Sequence, residues 1–143
     1  GAMAADAPPE IVNTLERYGS CIGKAFQIQD DLLDYLSSTE VLGKRVGSDL
    51  VMQKKTFVTL KALEILTGSA RERFQQLLHS AEANPEGLLE MQNLLVAGGV
   101  LEAGQRVVDE LFRKAFRILD EADPRLDTRR LRDYAGWLLK RDY

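Results

Sequence analysis

An all-α fold, a helical bundle, is predicted for this chain by three observations. Apolar residues recur at three- and four-residue steps through every long segment. No segment alternates apolar and polar residues at the two-residue period of a strand. The breaks between segments carry Gly, Pro, Ser or Asn, and no repeat or low-complexity tract interrupts them.

Taken in order, Gly1-Ala2-Met3 reads as the scar of a removed tag, which leaves residues 4–143 as the domain. Ala4 to Glu10 forms a helix entry with Pro8 and Pro9 near the first turn and an acid beside them. The first helix runs from about Glu10 to Leu36, with Ile11, Leu15, Tyr18, Ile22, Ala25, Phe26, Leu32, Leu33 and Leu36 in its apolar period. A loop containing Gly43 and Gly47 continues to about Lys54. A second helix, Thr56 to Leu66, ends at Thr67-Gly68, and a third, after Ser69, presents Ala70, Phe74, Leu77 and Leu78 before the break at Asn84-Pro85. A fourth spans Glu86 to Ala97, and Gly98-Gly99 permits a turn. The fifth, about Val100 to Ala122, carries Val108, Leu111, Phe112, Ala115 and Leu119 and is ended by Asp123-Pro124. A last helix from about Thr128 holds Leu131, Tyr134, Ala135, Leu138 and Leu139.

The composition is that of one soluble helical unit. Of 143 residues, 45% are hydrophobic and 29% charged, enough apolar mass for a core. A net charge of −3 argues against general nucleic-acid binding, which favours a basic face. No apolar run reaches the length of a membrane span and no signal peptide is visible. The single cysteine, Cys21, cannot form an internal disulfide and lies in the helix period with Tyr18 and Ala25, so a buried thiol in a reducing cytoplasm is expected.

The chemistry is concentrated in Phe26-Gln27-Ile28-Gln29-Asp30-Asp31-Leu32-Leu33-Asp34-Tyr35. Asp30 and Asp34 stack one helical turn apart, Asp31 lies three residues before Asp34, and Gln27 is one turn earlier. Like charges at this spacing repel, and near a helix C-terminus they also face the negative end of the dipole. A divalent cation reverses both penalties. Mg²⁺ is the hard ion that takes one or two carboxylates, several waters and substrate phosphates. The plainer reading is a solvated acidic face answered by nearby lysines. The loop that follows supplies Lys44, Arg45, Lys54 and Lys55 beside Gly43 and Gly47, the complement a metal–diphosphate site requires.

FQIQDDLLDY followed by LGKRVGSDLVMQKKT resembles the second aspartate-rich region of the trans-type isoprenyl diphosphate synthases, the polyprenyl synthetases. The similarity includes Tyr18-Gly19 and Gly23 and extends more loosely to Leu138 and Arg141. It implies the isoprenoid synthase fold, of which this chain matches only the carboxyl-terminal half. It also implies that Asp30, Asp31 and Asp34 hold Mg²⁺ against an allylic diphosphate, and that Gln27, Lys44, Lys54 and Arg141 contact diphosphate. Lys44 and Lys54 are the residues it implies for catalysis, by spreading the leaving group's charge, with isopentenyl diphosphate as second substrate.

Gln53 stands where the family often has Gly, and Val58 where it often has Pro. The family also uses a second acidic motif on a facing helix. This sequence has no other adjacent aspartate pair, and Asp120-Glu121 with Asp123 lacks the glutamine and the loop. The chain is therefore expected to be inactive alone, and to associate as a homo-oligomer or with the missing amino-terminal half. The alternatives are a non-catalytic or split subunit of a heteromeric prenyl synthase, a terpene cyclase fragment, and a structural bundle with solvated acids. The remaining conspicuous residues read as structural: His79 at a polar helix end, Trp137 as a packing or interface aromatic, and Arg125, Arg129, Arg130 and Arg132 as a salt-bridged face with Asp127 and Asp133.

Overall fold

The computed structural model describes residues 2–36, 56–79 and 85–139, without the side chains of Ala4, Asp34, Tyr35, Leu36 and Pro85. Among the described residues there are helices and no strands, as expected. They are α1 (Pro9–Leu36), α2 (Phe57–Ile65), α3 (Gly68–His79), α4 (Pro85–Ala97), α5 (Val100–Asp120) and α6 (Arg129–Leu139), preceded by a short 3-10 turn at Met3–Ala5. The turn was not expected; it closes at Asp6 in the left-handed region, φ 49°, where the Asp6 amide bonds back to Met3. The other boundaries fall within two residues of those the sequence predicts, except the end of α3, which is described to His79 while the predicted break at Asn84 lies outside the described residues. Gly99, at φ +67°, makes the turn between α4 and α5, and Gly68, at φ +54°, opens α3.

The chain divides into two compact units, Gly1–Gln27 with Val107–Tyr143, and Ile28–Arg106. In the first, Tyr18, Cys21, Ile22 and Ala25 of α1, Phe112, Ala115 and Ile118 of α5, and Ala135 and Leu138 of α6 are buried. Full burial of an apolar side chain of this size contributes about 1.5–3 kcal/mol. The Tyr18 hydroxyl donates to the Leu131 carbonyl at 2.7 Å, joining the first and last helices across 113 residues. Burial raises the phenol's pKa, and the nearby Tyr134 raises it further.

The turn before α6 is built on two aspartates. Asp123 accepts from the Arg125 amide at 2.8 Å and pairs with its guanidinium through both oxygens, at 2.9 and 2.7 Å. Asp127 repeats the pattern with Arg129, accepting from its amide at 3.1 Å. Arg132 pairs with Asp120 at 2.7 Å. The face is salt-bridged at Arg125, Arg129 and Arg132, but of the expected acids only Asp127 takes part in these pairs; Arg125 and Arg132 pair with Asp123 and Asp120. The arginine bonds hold both Asp123 and Asp127 near a pKa of about 2, below the ordinary 3.8. Depressed carboxylates stabilise the fold above their unfolded pKa and lose that contribution as pH falls through the folded value. The helicity of α6 is thus expected to decline between pH 4 and 2, as circular dichroism would follow, and D123N/D127N should flatten that decline.

The second unit carries the acidic stretch. Ile28 and Leu32 of α1, Val58 and Ala62 of α2, Leu66, Phe74 of α3, Met91 and Leu95 of α4, and Val100 and Ala103 of α5 are buried. Leu32 fits against the bare backbone of Gly104, where an added Cβ would stand 2.8 Å from its Cδ2. That close approach fixes the last turns of α1 against the start of α5.

Candidate functional site

α1 carries Asp30 and Asp31 into the second unit, and both are half-buried between the buried Ile28 and Leu32. The same apolar neighbours that anchor this turn of helix therefore hold the two carboxylates partly out of water. Gln27, the last α1 residue of the first unit, is exposed. Asp34 lies in α1, but its side chain is outside the described residues, as are Lys44, Lys54 and Arg141 altogether. Among the described residues no three His, Cys, Asp or Glu side chains form a group that could hold a metal. The donors that are described fit Mg²⁺ in chemistry, since that ion needs only one or two carboxylates and completes its shell with water and phosphate oxygens.

One contact in this region is not legible in the sequence. Asp31 Oδ2 accepts from the Phe57 amide at 3.0 Å, which ties the end of α1 to the first residue of α2. A second cap lies beside it. Thr56, in extended conformation (φ −73°, ψ 165°), accepts from the Thr59 amide at 3.3 Å through its side chain. The Thr59 hydroxyl returns a bond to the Thr56 carbonyl at 2.9 Å, and the two hydroxyls lie 3.1 Å apart. Both threonines are buried, so their polar atoms need these partners. Thr56 ahead of an apolar run is an N-cap signal visible in the sequence; the pairing with Asp31, 26 residues earlier, is not.

His79 Nδ1 lies 2.7 Å from the Gln75 carbonyl one turn back in α3. Trp137 is exposed and stacks on Tyr134, with ring centroids 6.1 Å apart and an interplanar angle of 24°. Cys21 is buried with no disulfide. Among the described residues no helix is long and apolar enough to cross a membrane.

The polyprenyl synthetase family matches residues 1–95. A short chain isoprenyl diphosphate synthase of Methanothermobacter thermautotrophicus is 38% identical over 128 residues, 87% of this chain and 39% of that protein. The heptaprenyl diphosphate synthase component 2 of Geobacillus stearothermophilus is 35% identical over 147 residues, 100% of this chain and 43% of that protein. The crystal structure of geranylgeranyl pyrophosphate synthase from Corynebacterium glutamicum, complexed with calcium and isoprenyl diphosphate, superimposes with a TM-score of 0.77 at 28% identity, over 97% of this chain and 43% of that one. The chain thus spans less than half the length of the relatives it matches. With the acidic stretch, the all-helical fold and this similarity in agreement, the chain belongs to the polyprenyl synthetase family.

Proposed function

We propose that this chain forms the carboxyl-terminal part of a prenyltransferase that condenses an allylic diphosphate with isopentenyl diphosphate. The observation that carries the reading is the pair of adjacent, half-buried carboxylates Asp30 and Asp31 near the end of α1, in a chain of this family. In this reading residues 4–143 are the helical part of the synthase domain and residues 1–3 a tag scar. Asp30, with Asp34 one turn on, binds the cation that faces the allylic diphosphate; Gln27, Lys44, Lys54 and Arg141 contact diphosphate oxygens. Mg²⁺, when bound, supplies positive charge to the departing diphosphate. Lys44 and Lys54 add to that charge as the carbon–oxygen bond breaks, which stabilises the transition state more than the ground state. The apolar residues flanking the acids keep water from the allylic cation that results. The double bond of isopentenyl diphosphate attacks that cation, and a proton leaves.

A second acidic motif must come from elsewhere, from a further segment, another copy or a different subunit. The match of this chain, over 43% of that protein's length, to a protein named as a component favours the split-subunit arrangement. A reducing cytoplasm suits the one buried cysteine. The test is to titrate this chain into a polypeptide carrying the first acidic motif and follow Mg²⁺-dependent pyrophosphate release from both substrates. Activity that is near zero for either alone and rises with concentration on mixing supports the proposal. No gain at any ratio, with no Mg²⁺-dependent pyrophosphate binding by this chain, rejects it.

A further inference from the structure

We infer that Asp31 is a positioning residue, not a metal ligand: its carboxylate fastens the end of α1 to the first amide of α2 and so sets the orientation of Asp30. This rests on the diphosphate-site reading of Asp30 given above. Three observations support it. The bond from the Phe57 amide to Asp31 Oδ2 has ordinary geometry at 3.0 Å, and Asp31 is half-buried. The Phe57 amide is the first donor of α2, one of the orphan groups that every helix N-terminus must satisfy from outside itself. Thr56 serves the Thr59 amide, so its hydroxyl is already engaged at the third position of the helix. A carboxylate is the strongest acceptor for the Phe57 amide because it meets the positive end of the helix dipole.

The geometry divides the labour among the acids. Adjacent residues on a helix point about 100° apart, so Asp30 and Asp31 cannot both face α2. With Asp31 turned to α2 and Leu32 seated against Gly104, the rotation of this turn about its own axis is fixed from two sides. Asp30 is carried to a third direction. An error of one ångström in a group that holds charge against a reacting centre is costly, which makes such a fastening functional as well as structural.

Four chains separate this from the alternatives: wild type, D31A, D31N and D30N. Asparagine keeps an oxygen that can accept from the Phe57 amide but is a poor ligand for Mg²⁺. Apo thermal melts should show D31A lowered by about 5 °C or more, with D31N recovering most of the loss and D30N near wild type. Calorimetry with Mg²⁺ and inorganic pyrophosphate well below the melting range should show D31A weakened about tenfold, D31N within about threefold of wild type, and D30N without binding. If D31N loses binding as D30N does, Asp31 is a ligand and the inference is overturned. If D31A lowers the melt but keeps wild-type affinity, the bond is structural only and the inference is likewise overturned. Should D31A fail to fold, D31N decides by the same affinity comparison. A wild-type chain that binds no Mg²⁺–pyrophosphate removes the diphosphate reading instead. The apo melts then still decide the fastening, since equal melting of D31A and wild type overturns it.

Discussion

Asp30→Ala is expected to abolish Mg²⁺-dependent pyrophosphate binding by this chain while its far-UV circular dichroism stays that of the wild type. The two halves of this expectation have separate causes. Alanine is the strongest helix former, and the change also removes a like charge four residues before Asp34, a repulsion of about 0.2–0.5 kcal/mol. Among the described residues the Asp30 side chain is in no hydrogen bond to set against that gain, whereas, in the proposed reading, a carboxylate lost from a metal's own shell costs more than the 10–100-fold typical of its outer partners. A control at Glu72, exposed on α3, should bind as wild type does. Binding retained by D30A would show that the acids are a solvated face, the plainer reading of the same sequence.

Phe74→Ala is expected to be the most destabilising single change in the second unit, by about 3–5 kcal/mol. α3 is a polar helix, and Phe74, with no exposed surface, is its buried residue. The helix packs on α2 and α4, and that ring is its one fully buried side chain, with Ala70, Leu77 and Leu78 partly buried beside it. α3 has a second tie to α4, the bidentate pair of Arg73 with Glu90 at 2.7 and 2.6 Å. Its short distances are misleading as a measure of strength, since both groups are open to water and salt screens them. Chemical denaturation should therefore show a large loss for F74A and little change for E90Q. A comparable loss in both would mean that the ion pair, not the ring, holds α3.

The contrast between ring and ion pair bears on what could be read in advance. The helices were legible because their apolar residues recur at helical spacing and their ends carry Pro8, Gly68, Asn84-Pro85, Gly98-Gly99 and Pro124. Phe74 could be picked as a core residue for the same reason. The acidic stretch was legible as a chemical pattern because carboxylates one turn apart repel and need a reason to be there. The Asp31–Phe57 bond was not, because it joins residues 26 positions apart and depends on tertiary packing that no local pattern encodes. Nor could the Leu32–Gly104 approach be read, since a glycine in mid-helix looks the same whether it admits a neighbour or merely lowers helix propensity. Motif reading therefore assigned three equivalent roles to three acids, and only the hydrogen bond gave one of them a different neighbour.

The division of the chain has a consequence for its order of synthesis. Ile28–Arg106 is an uninterrupted stretch, so all of its partners have left the ribosome by the time Arg106 emerges. The other unit joins residues 1–27 to residues 107–143, and Tyr18 meets its acceptor, the Leu131 carbonyl, only after 113 further residues have been made. Until then Ile11, Tyr18, Ile22 and Ala25 have no α5 or α6 face to cover them. A message truncated before Val107 would release a product whose acid-bearing middle is whole and whose α1 lacks the α5 and α6 residues that it packs with in its own unit, a ready substrate for chaperones and proteases.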